Sequence, residues 1–215
     1  TDAEYTSNFF GIYGSNLLKN HKLYPAPGNH DYGNNAGNKG SRTMPYYNNF
    51  SMPQNGESGG VASNKPNYYS YDIGNIHFLS LDSHGMESTD VSFPNSEMGT
   101  NGATTIMKNW IAADLAANTK KWVVAYWHHP PYSKGSHNSD TEAQMFNIRL
   151  NFVRFLETRG VDMIISGHSH AYERSYLIKN FLTNWTTFTP ATHAVSSNTA
   201  KYDGTAGGAP YKYNS

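Results

Sequence analysis

The chain has 215 residues, 37% hydrophobic and 14% aromatic, enough for one sizeable core and too apolar for a disordered chain. Sixteen Lys plus Arg balance sixteen Asp plus Glu, so no global basic field points to nucleic acid or an anionic membrane. No apolar run approaches the ~18 residues that span a bilayer, and the absence of Cys excludes disulfides and thiolate chemistry.

In chain order, Tyr5, Phe9, Ile12, Tyr13 and Leu17 recur at helical spacing and predict an amphipathic helix over 2–20. A short strand is expected at 22–26, stopped by Pro27-Gly28-Asn29-His30-Asp31-Tyr32-Gly33, after which Gly, Asn, Ser and Pro carry the chain as loop to Lys65. Aromatic and β-branched runs at 68–73 and 76–81 flank Gly74-Asn75 and predict a hairpin. A helix follows at 96–118, with Ile106, Trp110, Ile111 and Leu115 on one face. Next comes a strand at 121–126, ending in Trp127-His128-His129-Pro130-Pro131. A second long helix is expected at 141–159, stopped by Gly160, then a strand at 161–166 that runs into Gly167-His168-Ser169-His170. A further strand is expected at 175–178, and the stretch 181–215 reads as loop-rich or poorly ordered. No repeat or linker divides the chain, so 1–215 reads as a single domain.

Three strands therefore discharge into loops that begin with Asn or His, and ligands collect at the carboxyl ends of strands in α/β sheets. Imidazole and amide or carboxylate oxygen suit Zn, Fe and Mn. If His168-Ser169-His170 is extended, both imidazoles lie on one side, and Gly167 lets the backbone approach. Taken alone, His128-His129 before two prolines fits a rigid turn as well as a ligand pair, and Gly28 to Gly33 is an acceptable turn. His21, His77, His84 and His193, taken singly, read as ordinary surface or core residues. Asn49-Phe50-Ser51 and Asn184-Trp185-Thr186 match the glycosylation triplet, as an Asn-rich chain does by chance.

Gly28-Asn29-His30-Asp31, Trp127-His128-His129-Pro130-Pro131-Tyr132 and Gly167-His168-Ser169-His170-Ala171-Tyr172-Glu173-Arg174 resemble three signature motifs of calcineurin-like metallophosphoesterases, in the family's order. The Ala-Tyr-Glu-Arg tail is similar to the purple acid phosphatase branch, as is the hairpin 69–82. The resemblance covers roughly 1–178. It implies a four-layer α-β-β-α sandwich of two mixed sheets, and two divalent or trivalent metal ions (Fe, Zn or Mn). Phosphate esters would be hydrolysed through a dinuclear centre and a metal-bound hydroxide, with a phosphomonoester or a phosphodiester as substrate and no nucleic acid or membrane partner. Asn29, His128 and His168 would ligate one ion and His170 the other. His30 would meet the phosphate or protonate the leaving group, with Asp31 orienting it, and His137 would face the substrate. His129 has no ligand counterpart. The family's first two metal motifs do not precede Thr1, and Asp2 and Tyr5 do not replace them, so the chain reads as truncated at both ends and inactive by itself. Family members suggest secretion or a periplasmic location. The competing readings are a non-catalytic metal- or phosphate-binding domain of the same fold, and a carbohydrate-binding or adhesion domain in which the histidines are incidental.

Overall fold

The structure, a computed structural model, describes residues 1–33, 43–84, 106–173 and 175–195. Its centre is a four-stranded sheet of β1 (Tyr69–Ile73), β2 (Ile76–Ser80), β3 (Trp122–Trp127) and β4 (Met163–Ser166), in that spatial order. β1 and β2 are antiparallel across the turn at Gly74, whose φ of 57° suits a residue without Cβ. β2, β3 and β4 run parallel. The sheet is mixed and the fold α/β, as expected. Among the described residues there is this one sheet rather than two.

Alternation of side chains sorts the sheet into two faces. Leu79, Val123, Ala125 and Trp127 point to one face, where they meet Met107, Trp110 and Ile111 of α5 (Ile106–Ala117). Ile148 of α6 (Ala143–Ile148) and Leu156 of α7 (Arg154–Glu157) complete that core. The predicted helix at 141–159 is thus one helical run with a wider turn at Arg149–Val153 between α6 and α7. Gly160, at φ 80°, follows it. The part of the other predicted helix that is described, α5, is helical; 96–105 lie outside the described residues.

The opposite face carries Tyr69, Tyr71, Phe78 and Tyr126, packed with Tyr24, Phe50, and Tyr46 of α4 (Pro45–Asn49). Here the predicted strand at 22–26 is absent. Pro25 and Pro27 have no N–H to give a ladder, and the segment instead offers its carbonyls to side chains. Tyr46, Tyr69 and Ser80 hydroxyls donate to Pro25 O, and Tyr126 Oη donates to Tyr24 O. Stacking of Tyr24 on Tyr71, ring centroids 3.7 Å apart, completes the anchorage. The segment therefore crosses the sheet face as a strap and delivers Gly28–Asp31 to its end.

The predicted first helix is also broken. Helix runs from α1 (Asp2–Tyr5) through a wider turn at Thr6–Phe10 into α2 (Gly11–Tyr13), stops at Gly14–Asn16, and resumes as α3 (Leu17–Asn20). Gly11 and Gly14 are poor helix formers. Tyr5, Phe9 and Phe10 pack on Phe50, whereas Ile12, Tyr13 and Leu17 stay exposed. At the other end, the predicted strand at 175–178 reduces to a bridge between Ile178 and Ala194, beside α8 (Pro190–His193). Phe181 is fully buried in this C-terminal stretch. No helix among the described residues is long and apolar enough to cross a membrane.

An ionic network locks α5 to the hairpin. His77, which the sequence suggests is an ordinary residue, bonds Asp72 through Nδ1 (2.8 Å) and fully buried Asp114 through Nε2 (2.6 Å). Asp114 also accepts from Ser70 Oγ (2.8 Å) and Val61 N (2.6 Å). Burial pushes the His77 pKa down, but the two carboxylates outweigh it and leave the pKa above its ordinary value. The native state thus holds this proton to higher pH than the unfolded chain does. The stabilisation is complete below about pH 6.5 and fades as pH rises through the folded pKa. The urea midpoint is expected to fall along that rise, and His77→Gln to remove that part of the profile; a pH-independent gap between the two proteins would refute the assignment. Asp114→Ala, which strands buried partners, is expected to cost about 3–5 kcal/mol in the same assay.

Candidate metal centre

β3 and β4 are paired in register, Trp127 opposite Ser166, and Gly167 N donates to His128 O (2.9 Å) one residue beyond the strands. This pairing sets the ends of two loops side by side. Trp127 faces the helical core, so His128 turns to the opposite face, the one crossed by the strap. There His128 Nε2 donates to Asn29 Oδ1 (2.7 Å) and stands 3.1 Å from His168 Nδ1. Three residues separated by 99 and 40 positions in the chain thus converge on one point.

Close approach here depends on Gly28. A Cβ on it would stand 2.8 Å from His128 Nδ1 and 2.9 Å from Cε1, inside contact distance. Gly167, expected to provide that clearance, does not: a Cβ there would meet His128 Nδ1 at an ordinary 3.6 Å. His168 has φ 63°, a left-handed conformation uncommon for a side chain with Cβ. The extended geometry expected for His168-Ser169-His170 is therefore lost, and His170 is exposed with its N–H donating to Ser136 Oγ (2.8 Å). Among the described residues, His170 joins neither cluster of potential ligands.

The first cluster is His128, His129 and His168, with ligand atoms within 4.8 Å of one another. His129 is fully buried, its Nδ1 bonded to Ser83 Oγ (2.8 Å) and its N–H donating to the same oxygen (3.0 Å). That anchorage fits a supporting residue. The second cluster is His137, Glu142 and His168. Its imidazoles stack, centroids 4.0 Å apart and planes at 29°, so their in-plane lone pairs run nearly side by side instead of meeting. The donor set of Asn29, His128 and His168 is the better fit to an ion: two imidazole nitrogens and an amide oxygen already face one another, and a cation would replace the shared proton.

His30 sits exposed at the tip of its turn. Asp31 closes the turn: Oδ2 accepts from Gly28 N (2.7 Å), and Oδ1 accepts a very short bond from Tyr5 Oη. Burial first, then the bond to Asp31, pushes the Tyr5 phenol well above its usual pKa, so it is a hydroxyl donor. The contacts of Asp31 thus fix the loop that carries Asn29 and His30. Tyr5, set aside in the sequence, is the support for that loop.

His137 lies half-buried against His168, and its Nδ1 pairs with Glu142 Oε2 (2.9 Å). Burial acts to raise the Glu142 carboxyl, yet the bonds from His137 and Asn138 N hold it below the ordinary value. Glu173, quoted within the third motif but given no role there, accepts from Ser133 Oγ and Lys134 N, both at 2.7 Å. It ties the loop after β3 to the loop after β4. No sequence signal points to Ser83, whereas the pairing of His137 with Glu142 joins residues only five positions apart.

The calcineurin-like phosphoesterase family model matches residues 4–172, which include all three loops. The chain belongs to the calcineurin-like phosphoesterase family. Among its relatives, purple acid phosphatase 15 of Arabidopsis thaliana is 30% identical over 178 residues, 81% of this chain and 29% of that protein. Purple acid phosphatase 23 of the same plant is 32% identical over 158 residues, 72% of this chain and 29% of its own length. An acid phosphatase of Aspergillus ficuum is 29% identical, covering 61% of this chain and 25% of that enzyme. The chain thus spans under a third of the length of these phosphoesterase relatives.

Gly28→Ala tests the site's packing. Displacement of His128 is expected to weaken Zn²⁺ binding about 10- to 100-fold in a calorimetric titration, with unchanged circular dichroism. Unchanged affinity would show that the strap does not set the ligand positions.

Proposed function

We propose that the whole protein is a metal-dependent phosphatase of the purple acid phosphatase type, hydrolysing phosphate esters, with 1–215 as part of its single catalytic domain. The convergence of Asn29, His128 and His168 at the ends of a strap and two parallel strands carries the reading. Relatives named as purple acid phosphatases and an acid phosphatase support it. We assign the three convergent residues to one ion and His170 to a second, with Fe, Zn or Mn as candidates. Bound there, the ions would supply Lewis-acid stabilisation of the phosphate and lower the pKa of water.

The chain's own residues do the rest. His30, exposed beside Asn29, is assigned to give a proton to the leaving alkoxide. Asp31 serves it indirectly by holding the turn through Gly28 N and Tyr5. We assign His137, which stacks on His168, to a phosphate oxygen of the ester. Monoesters are the preferred substrate class, after the relatives' names, with the family's two-sheet sandwich as the full architecture and a secreted or periplasmic location.

In the full-length protein, His30→Ala is expected to lower turnover of a phosphomonoester such as p-nitrophenyl phosphate at least ~10²-fold, as loss of a general acid does. His168→Ala should lose turnover together with bound metal. Wild-type protein that binds metal and phosphate without turnover would favour a non-catalytic binding domain instead.

A further inference from the structure

The loop after β4 carries His168 with little burial to hold it. β4 is an edge strand of the sheet, and Ser166, Gly167, His170, Ala171 and Tyr172 are all exposed. Within the loop, Ser169 N donates to Gly167 O (2.7 Å) around His168 at φ 63°. A three-residue turn closed over a positive φ is the rare, strained form of the γ-turn. Such a backbone persists only where its surroundings enforce it.

The enforcement comes from the loop after β3, whose neck is fixed to the core. Ser139 N donates to Ser133 O (3.1 Å) and Ser133 N to Ser139 Oγ (3.0 Å), while buried Arg149 donates to Pro131 O (2.7 Å) and to Ser139 Oγ. From that neck, residues 134–136 reach across to 169–173. The Glu173 carboxylate accepts on both oxygens, from Ser133 Oγ on Oε2 and from Lys134 N on Oε1, each at 2.7 Å. Closer to the turn, His170 N donates to Ser136 Oγ (2.8 Å). Between these anchors lies Gly135, where a Cβ would stand 2.7 Å from Ser169 Oγ, 2.9 Å from Ala171 Cβ and 3.0 Å from Glu173 Oε2. A residue without Cβ lets the two loops meet this closely.

We propose that Glu173 is a positioning residue for the ion site. By gripping Ser133 and Lys134 it holds the 167–173 loop closed, and with it the left-handed backbone that sets His168 Nδ1 3.1 Å from His128 Nε2. This rests on the assignment of Asn29, His128 and His168 to one ion and deepens it. Without the carboxylate the loop loses two of the three hydrogen bonds just described, and the strained residue relaxes toward an extended conformation. His168 then leaves a donor set that had been assembled in advance, and the site must be ordered anew when an ion binds.

Two readouts on the 215-residue chain test it. In metal-free wild type, His168 is expected to show the intense amide-to-α-proton cross-peak within one residue that marks a positive φ. Glu173→Ala should weaken that cross-peak and lower Zn²⁺ affinity about tenfold in a calorimetric titration, with unchanged circular dichroism. Glu173→Gln, whose amide oxygen still accepts one of the two bonds, should fall between. Gly135→Ala, which wedges the loops apart at another point, should weaken Zn²⁺ binding as well, and the double variant with Glu173→Ala should lose little more. Should Glu173→Ala fail to fold, Glu173→Gln and Gly135→Ala carry the same two readouts. A folded Glu173→Ala chain that keeps the wild-type cross-peak or the wild-type affinity would overturn the proposal, as would fully additive losses in the double variant. A wild-type chain that binds no Zn²⁺ would sink the ion assignment instead, and the cross-peak would then decide the clamp by itself.

Discussion

The parallel pairing of β3 with β4 is the constraint on which the candidate site depends. Trp127 opposite Ser166, continued by the bond from Gly167 N to His128 O, brings the two histidine loops into contact although 40 residues separate His128 from His168. Side chains alternate with a period of two, so a slip of one residue in β3 would turn His128 into the helical core and Trp127 out of it. The hydrophobic effect guards the register. Val123, Ala125 and Trp127 are buried against α5, α6 and α7, and a slip would expose them.

Around that pairing the molecule separates structural charge from site chemistry. His77 between Asp72 and Asp114 locks the hairpin to α5, and Arg149 with Asp140 locks the loop after β3 to its helix. Both are buried polar networks with their partners in place, where removal of one member leaves another stranded. The ligand loops are lighter constructions. The strap hangs on carbonyls that accept from tyrosine hydroxyls, and its turn is closed by Asp31 and Tyr5. Tight packing at Gly28 is what turns this light construction into a fixed distance between Asn29 and His128.

Much of the fold was legible because periodicity reports burial. The hairpin at 69–80, the helix at 106–117 and the strand at 122–127 follow their patterns closely. The strand expected at 22–26 does not form because Pro25 and Pro27 have no N–H to give a ladder, and the first helix breaks at Gly14, where propensity overrides an apolar stripe. Of the candidate site, Asn29, His128 and His168 are legible in the motifs and His137 in the family resemblance of the loop after Tyr132, and the structure brings the four together. His170 was named with them and stands apart, because the left-handed backbone at His168 is a tertiary effect that no local pattern announces. The supporting roles of Tyr5, Ser83, Glu142 and Glu173 are not legible in the sequence for a related reason. Each acts through a partner distant in sequence or through a loop conformation, and their residue types are common on any surface.

Asn29, His128 and His168 converge at the ends of the strap and of two parallel strands, and we propose that they form one ion site within this chain. Its most direct test is elemental analysis of the purified 215-residue protein after incubation with Zn, Mn and Fe and removal of excess metal, alongside a His128→Ala, His168→Ala double variant that is folded by circular dichroism. About one firmly held ion per wild-type chain and none in the variant is the predicted result. Equal uptake by both proteins, or no uptake by folded wild type, would contradict the site as described.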